Sequence, residues 1–213
     1  MSLSRVIAVA RGELGNTEWP PGSNLTPYGE AYGINGVPWC MQFLWWCFRE
    51  AGESSAFFGG AKTASCGTLL KWYAEQGQTV PVSEARPGDI LILNFSGTKE
   101  TQHCGYVIGV DGIYIQTVEG NTSVSGSQSN GGIVCKKIRF PSQVVGVCRP
   151  QYKEEEKDVQ KNDDLTDHWA EKSCRKAETK AIMKGYPDGT WRPDQQLTRA
   201  ELAVILDRLG LLD

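Results

Sequence analysis

The segment that most restricts the fold is GVPWCMQFLWWCFREA, Gly36 to Ala51. Beginning at Cys40, apolar side chains recur at spacings of three and four residues, which is the period of one face of an α-helix. Gln42, Arg49 and Glu50 fall on the other side. Pro38 disfavours helix just before it, so we expect an apolar helix that begins at Cys40. Its inward positions are predicted to be Cys40, Phe43, Leu44, Cys47, Phe48 and Ala51.

The rest of the first 150 residues changes from helical to strand patterns along the chain. Helices are predicted over Leu3–Leu14 and Ser65–Glu75, and a loop rich in Gly, Pro and Asn precedes Pro38. Alternating apolar and β-branched residues then predict five strands. Helices followed by an antiparallel sheet indicate an α+β fold. The predicted strands are Asp89–Phe95, His103–Val110, Ile113–Glu119, Ile133–Phe140 and Val144–Cys148.

Composition changes sharply at QYKEEEKDVQKNDD, Gln151 to Asp164, where almost nothing can be buried. We interpret this stretch as a linker. The prediction is a first domain over 1–150, a charged linker over 151–163 and a small all-α module over 164–213.

Charge and hydropathy exclude several classes of protein. A net charge of −3 argues against a nucleic-acid-binding protein, which needs a basic surface. The apolar run Val6–Ala10 is too short for a signal peptide, and no stretch is long enough to span a membrane. We therefore expect synthesis in the cytoplasm. With seven cysteines and no CxxC motif, we expect no zinc ribbon and mostly reduced thiols.

Two interpretations of Cys40 remain open at this point. Cysteine is often a plain core residue, and Cys40 lies on the apolar face of its helix. A thiol at a helix N-terminus, however, meets the positive end of the helix dipole and unpaired N–H groups, which favour the reactive thiolate. A disulfide with Cys47 is excluded, because seven helical residues separate the two by about 10.5 Å.

A cysteine nucleophile needs a base, and the chain has only two histidines. His168 lies in the other module, so His103 is the candidate. The segment TVEGNTS offers Glu119 and Asn121 to orient it. A two-residue hairpin loop at Asp111–Gly112 would pair Glu119 with Cys104, on the wrong face. We therefore expect a three-residue loop, 110–112, that pairs His103 with Glu119.

Four blocks in this order resemble the CHAP domain (cysteine, histidine-dependent amidohydrolase/peptidase), a papain-like fold related to NlpC-type peptidases. The resemblance implies Cys40 as nucleophile, His103 as general base, Glu119 as orienting residue and Asn121 as an auxiliary polar group. It also implies peptidoglycan as the substrate. Some members carry an acidic calcium-binding loop just before the cysteine. This sequence has only Asn24, Glu30 and Asn35 in that segment, so no metal or cofactor is predicted. The blocks are YGEAYGINGVPWCMQFLWWCFREAG, RPGDILILNF, QHCGYV and TVEGNTS.

The last module, with its DHWA, GYPDGTWRP and LTRAE blocks, resembles one S-layer homology (SLH) repeat. Thr198 and Glu201 form a predicted capping box, with Leu202, Ile205, Leu206 and Leu209 inward. The resemblance implies binding of a pyruvylated secondary cell-wall polysaccharide through Arg199, with Trp169 beside it. The family usually presents three repeats. A single repeat leaves two alternatives: docking on the first domain, or a homotrimer.

The sequence thus predicts a cysteine-dependent peptidoglycan hydrolase that the SLH module targets to the wall. The choice between N-acetylmuramoyl-L-alanine amidase and stem or cross-bridge endopeptidase stays open. Without a signal peptide, the expectation is a phage or prophage endolysin released through a holin. The alternatives are a non-catalytic wall protein with an inactive CHAP domain, and a cytoplasmic acyltransferase or amidase. Neither a nucleic-acid partner nor a membrane partner is expected.

Overall fold

The structure, a computed structural model, describes residues 2–152, 164–186 and 189–212 of the chain. The chain divides into two compact units, residues 1–154 and 155–213. The linker predicted over 151–163 lies almost wholly outside the described residues, so the predicted domain boundaries stay a prediction.

The first unit combines four helices with a six-stranded sheet, and the α+β fold class is confirmed. Every strand pairs antiparallel with its neighbours, in the order β1-β6-β2-β3-β4-β5. The sequence patterns missed α2, which Thr26 caps, and the two-residue strand β1. The elements are α1 Ser2–Gly12, α2 Pro27–Tyr32, α3 Cys40–Glu50, α4 Cys66–Glu75, β1 Thr79–Val80, β2 Ile90–Leu93, β3 His103–Asp111, β4 Tyr114–Thr122, β5 Ile133–Arg139 and β6 Val144–Cys148.

Helix α3 packs against the sheet and is buried on more than one side. Gly120 of β4 allows this close approach, because a Cβ atom there would lie 2.5 Å from Cβ of Phe43. Gln42, predicted on the outer side, is fully buried, and its Nε2 donates to the carbonyl of Ile34 at 2.7 Å. The prediction of a polar outer face was therefore wrong at Gln42, because loop residues before α3 cover that side and provide a hydrogen-bond acceptor.

The two faces of the sheet carry two apolar clusters. The larger cluster joins helix side chains to one face, which includes Ile90, Ile92 and Tyr106. The smaller cluster occupies the other face, because neighbouring residues of a strand point in opposite directions. It consists of Leu91, Leu93, Val107, Ile115 and Val147.

The β3–β4 hairpin does not have the predicted three-residue loop. Asp111 pairs with Tyr114, so the loop is Gly112–Ile113, with Gly112 in the left-handed region at φ 57°. The register shifts instead between Val107 and Gly109, within β3. The extra residue is thus absorbed by a bulge inside the strand rather than by the loop.

This register decides which side chains share a face at the far end of the hairpin. Val118 pairs with Tyr106, and continuing the ladder by one residue places Glu119 opposite Gly105. A Cβ atom at Gly105 would lie 2.8 Å from Cγ of Glu119, which agrees with that placement. His103, two residues from Gly105, therefore lies on the same face as Glu119 and diagonally across from it.

The described end of the first unit is anchored by Tyr152. Its ring stacks on Phe48, with centroids 5.9 Å apart and an interplanar angle of 12°. Its hydroxyl donates to the carbonyl of Gly88 and lies 2.7 Å from the hydroxyl of Tyr106. Tyr152, four residues after β6, thus packs against the core of the first unit.

The second unit contains α5 Glu171–Thr179 and α6 Arg199–Arg208. The predicted capping box is present, since Thr198 Oγ1 accepts from the Glu201 N–H and Glu201 Oε2 accepts from the Thr198 N–H. Leu202 and Leu209, predicted inward, are each 46% exposed. Within the described part of this unit, Leu165 alone is a fully buried apolar side chain. A single pair of short helices offers too little surface to enclose the others.

Candidate active site

Cys40 is the first residue of α3 and retains 6% of its surface exposed. Trp39 holds the N-cap position without a side-chain hydrogen bond to the helix. The first helical hydrogen bond runs from the Phe43 N–H to the Trp39 carbonyl at 2.9 Å, so the N–H groups of the preceding residues have no partner within the helix. The buried carboxylate of Glu18 accepts from Trp39 Nε1 at 3.2 Å and fixes the ring next to Cys40.

His103 opens β3, and its imidazole is fully buried with the carboxylate of Glu119. His103 Nε2 lies 3.0 Å from Glu119 Oε2. The other ring nitrogen, Nδ1, is buried and makes no well-aligned hydrogen bond to any described residue. The ring interacts with the sulfur of Cys40 as well as with Glu119. The structure thus brings together Cys40, His103 and Glu119, as the sequence predicted, although through a different hairpin register.

Arg139 of β5, which the sequence patterns did not predict at the site, also binds Glu119. Its Nε donates to Glu119 Oε1 at 2.8 Å, and Nη2 donates to Oε2. Its guanidinium covers the ring of Phe95 at 4.8 Å, and that ring lies 6.0 Å from the imidazole of His103. Alternation along β5 could have placed Arg139 on the face of Cys135, which pairs with Glu119. Nothing in the sequence identified its partner.

Two further cysteines, which the sequence patterns did not predict at the site, lie close to the Cys40 sulfur. The Sγ atoms of Cys40, Cys66 and Cys104 all lie within 4.8 Å of one another, and all three residues are buried. Cys66 is the first residue of α4, and Cys104 follows His103 in β3. The spacing of these cysteines in the sequence does not predict the cluster, because the fold brings together three separate segments.

The electrostatics of the site favour a thiolate–imidazolium pair. Hydrogen bonds from Cys104 and Cys66, together with His103, outweigh burial and hold the pKa of Cys40 well below its usual value. Burial lowers the pKa of His103, but Cys40 and Glu119 outweigh it and raise that pKa to about 9. Burial opposes ionisation of Glu119 as well, yet Arg139 and His103 lower its pKa to about 2. Cys47, two turns along α3, has a strongly raised pKa because of burial, as expected of a core thiol.

The structure gives Asn121 a different set of contacts from the other candidates. It adopts a left-handed conformation at φ 56°, which interrupts the alternation of β4. Its side-chain amide donates to Asn130 at 2.9 Å and Asn24 at 3.4 Å, and accepts from the Gly132 N–H at 3.2 Å. These hydrogen bonds join two loops, so the structure does not connect Asn121 with the group formed by Cys40, His103 and Glu119.

The predicted wall-polymer residues are exposed in the second unit. Trp169 precedes α5 and is 88% exposed, with its ring tilted against His168 at 5.6 Å. Arg199 is the exposed first residue of α6. A separate groove of about 490 Å³ has Tyr186, Trp191 and Arg208 among its lining residues. Neither Trp169 nor Arg199 lines this groove as the described residues form it.

Comparison with protein families assigns both parts of the chain. Residues 32–121 match the CHAP domain family, and this range includes the group formed by Cys40, His103 and Glu119. Residues 163–203 match the S-layer homology domain family. The chain therefore contains a CHAP domain followed by an SLH domain, which confirms both resemblances.

Curated relatives match over short stretches. Cell surface glycoprotein 1 of Acetivibrio thermocellus is 50% identical over 44 residues, which are 20% of this chain and 2% of that protein. Outer membrane protein SlpA of Deinococcus radiodurans is 45% identical over 42 residues, 20% of this chain and 4% of that protein. A cellulosome-anchoring protein of A. thermocellus is 40% identical over 55 residues, 24% of this chain and 12% of that protein. The chain thus spans only a small part of each relative.

Two solved structures are distantly similar. The wild-type endolysin LysIME-EF1 is 18% identical with a TM-score of 0.44, covering 71% of this chain and 65% of that one. Ly7917 is 17% identical with a TM-score of 0.44, covering 70% of this chain and 63% of that one.

Among the residues that the structure describes, no helix has the length and apolar character required to cross a bilayer.

Proposed function

We propose that this chain is a cysteine-dependent peptidoglycan hydrolase that cleaves an amide or peptide bond by acyl transfer. The observation that carries the proposal is the position of Cys40 at the start of α3, within interaction range of an imidazole whose Nε2 lies 3.0 Å from Glu119. A low thiol pKa makes Cys40 a nucleophile at neutral pH, since the thiolate is the reactive form.

In the first half of the reaction, the Cys40 thiolate attacks the carbonyl carbon of the scissile bond. The negative charge that develops on the carbonyl oxygen faces the free N–H groups at the start of α3. His103, held as an imidazolium by Glu119, donates its proton to the leaving amine as the carbon–nitrogen bond breaks. The products of this step are a free amine and a thioester on Cys40.

In the second half, neutral His103 takes a proton from a water molecule, which attacks the thioester carbonyl. The carbon–sulfur bond breaks, the carboxylic acid product leaves and the thiolate–imidazolium pair is restored. Glu119 acts as a positioning residue throughout, because it contacts His103 and not the reacting atoms. Arg139 holds Glu119 from the other side.

Digestion of purified sacculi, followed by mass spectrometry of the released fragments, tests the proposal. Wild type is expected to release fragments with new amino groups, and Cys40→Ala is expected to release none. A new free amino group on L-alanine, next to a released lactyl carboxyl, would identify an N-acetylmuramoyl-L-alanine amidase. A new amino group within the stem or cross-bridge would identify an endopeptidase.

Cys135→Ala is the matched control, because it removes a buried thiol outside the cysteine cluster. It is expected to digest as wild type does. Equal digestion by wild type and Cys40→Ala would remove Cys40 as nucleophile. Wall binding without digestion by wild type would leave the non-catalytic wall protein as the function.

For the second unit, we propose binding of an acidic secondary cell-wall polysaccharide through Arg199, with Trp169 stacking on a sugar ring. Both side chains are exposed and free to meet a polymer. Arg199→Ala and Trp169→Ala should each weaken co-sedimentation with walls that retain the polysaccharide. Lys172→Ala, which removes an exposed cation elsewhere in the unit, is the control. Equal retention of all three variants would contradict this assignment.

We also propose that three copies of the SLH domain associate. The exposed apolar residues of the second unit would then be covered, and weak sugar binding would be multiplied by avidity. Sedimentation velocity should give a trimer at micromolar concentration, and a monomer would exclude it. The exposed apolar residues are Leu197, Leu202, Val204, Leu209, Leu211 and Leu212.

The biological setting we propose is an endolysin that reaches the wall through a holin.

A further inference from the structure

The three sulfurs around Cys40 form an arrangement that hydrolysis does not require. A cysteine hydrolase needs one thiol, an imidazole and a group that orients the imidazole. Here α3 and α4 both begin at a cysteine, and Cys104 supplies a third sulfur from the neighbouring strand. All three are free thiols with mutual Sγ distances within 4.8 Å.

These distances are close to those of a tetrahedral thiolate site. Zn²⁺ binds cysteine sulfur at about 2.3 Å, so two sulfurs of a tetrahedral site lie about 3.8 Å apart. Sulfurs already within 4.8 Å reach this separation by a movement of about 1 Å or less for each pair. Side-chain rotation is sufficient for such a movement, because none of the three cysteines forms a disulfide.

The surroundings also suit a soft cation. Thiolates are preferred ligands of Zn²⁺ and comparable soft ions, and a dication neutralises the repulsion between converging thiolates. Cys40 and Cys66 each begin a helix, where the helix dipole favours a negative charge. Without a metal, Cys40 and burial outweigh the hydrogen bond to Cys104 and raise the pKa of Cys66, and burial raises the pKa of Cys104, so metal binding must displace a proton from each. His103 interacts with Cys40 but is not among the residues whose ligand atoms all lie within 4.8 Å of one another, so the fourth position of a tetrahedral site would be filled by water.

We propose that Cys40, Cys66 and Cys104 form a binding site for a soft divalent metal ion, tested here as Zn²⁺. The metal-binding site stands on the geometry of the cluster alone. Its consequence rests on the proposed function: because the ion occupies the Cys40 sulfur, the loaded protein is an inactive form of the hydrolase. Removal of the ion frees the thiolate.

Cobalt binding tests the site without reference to activity. The full chain, kept reduced and stripped of metal with a chelator, is titrated with Co²⁺ under anaerobic conditions. We expect one equivalent to produce the intense visible bands and the sulfur-to-cobalt charge-transfer absorption of a tetrahedral thiolate site. One equivalent of Zn²⁺ should then abolish them. Absence of saturable cobalt absorption would overturn the proposal.

Variants locate the site on the three cysteines. Cys66→Ser and Cys104→Ser remove one ligand each, so each should weaken Zn²⁺ binding by more than the roughly 10- to 100-fold that loss of a supporting residue costs. Cys135→Ser and Cys174→Ser, which change thiols outside the cluster, should bind as wild type does. Equal affinity in Cys66→Ser and wild type would contradict the assignment. Far-ultraviolet circular dichroism checks that each variant is folded.

Alkylation of the wild-type protein makes the test independent of any variant's folding. Bound Zn²⁺ should slow modification of Cys40, Cys66 and Cys104 by N-ethylmaleimide, as mapped by mass spectrometry of peptides. The half-buried thiol of Cys174 should react at the same rate with and without the ion. Protection of Cys174 alone, or of no cysteine, would overturn the proposal.

Activity assays then separate this inference from the proposed function. Zn²⁺ should inhibit sacculus digestion by wild type, with recovery after chelation, and should inhibit any residual digestion by Cys66→Ser only at higher concentration. Metal binding by a chain that digests nothing would support the site and refute the hydrolase. Digestion without the cobalt spectrum would support the hydrolase and refute the site.

Discussion

Nε2 of His103 lies 3.0 Å from Oε2 of Glu119, with both side chains fully buried, although the two residues are not directly paired in the sheet. They lie on a diagonal of the β3–β4 ladder. Glu119 is opposite Gly105, and His103 is two residues before Gly105 on β3. The absence of a side chain at Gly105 leaves room for the Glu119 carboxylate to reach the imidazole. The Glu119–His103 contact therefore depends on a glycine as much as on the two functional side chains.

Glu119→Gln is expected to lower kcat/KM by about 100-fold or more, in the range of a general acid–base contribution. The pH profile gives the sharper test. The reactive ion pair exists above the low pKa of Cys40 and is lost as the pH rises through the His103 pKa of about 9. Removing the Glu119 charge lowers the His103 pKa, so the alkaline limb of kcat/KM should move to lower pH.

The control for this prediction is Glu84→Gln, which makes the same change at an exposed site. It should leave both the rate and the alkaline limb where wild type has them. An alkaline limb that stays in place in Glu119→Gln would show that Glu119 does not act on His103.

Gly105→Ala tests the space beside Glu119 directly. The new methyl group would lie 2.8 Å from Glu119 Cγ and 2.9 Å from Oε1, so the carboxylate must move away. We expect a loss of kcat/KM together with lower stability in urea unfolding. Gly109→Ala on the same strand meets Gln116 only at 3.5 Å or more and should be nearly neutral in both measurements. Equal effects of the two substitutions would contradict the prediction.

Arg139→Met leaves the buried Glu119 carboxylate without its main cation. Removing one partner of a buried ion pair costs about 3–5 kcal/mol, so the free energy of unfolding should fall by that amount at pH 7. Lys137→Met is the matched control on β5, because the Lys137 ammonium donates to the Ser123 carbonyl and pairs with no carboxylate among the described residues. It should cost about 1 kcal/mol or less. A loss from Arg139→Met no greater than from Lys137→Met would argue against a structural role for the pair.

Thr198→Ala removes the N-cap of α6 and should destabilise that helix by about 1 kcal/mol. Hydrogen exchange on the full chain measures this locally. Amides of Arg199–Arg208 should exchange roughly fivefold faster, whereas α3 should be unaffected. Thr198→Ser keeps the hydroxyl and should exchange nearly as wild type does. Unchanged exchange in Thr198→Ala would mean that tertiary contacts, not the cap, hold the helix.

Local patterns were sufficient to predict the elements that carry the proposed nucleophile. The helix beginning at Cys40 followed from Pro38 and the apolar period, and the cap at Thr198 followed from its spacing to Glu201. His103 could be predicted as the base by elimination, since the only other histidine lies in the second module. Each of these inferences depends on residues close together in the chain or on a very small set of candidates.

Contacts between distant segments could not be predicted in the same way. Arg139 reaches Glu119 from a separate strand, and Cys66 approaches Cys40 because α3 and α4 begin near the same point. The hairpin register was predicted wrongly, because the position of a bulge depends on packing along β3 and not on the turn residues alone. Gln42 was misplaced for a similar reason, since the loop that covers it has no periodic pattern.

The packing of Tyr152 against Phe48 has a practical consequence for studying the two domains separately. A truncated gene that stops at codon 150 would encode a CHAP fragment lacking the ring that stacks on α3 and the hydroxyl that bonds to Gly88. Expression of the CHAP part alone should therefore include Tyr152. Otherwise, a poorly soluble fragment would reflect the choice of cloning boundary rather than a need for the SLH tail.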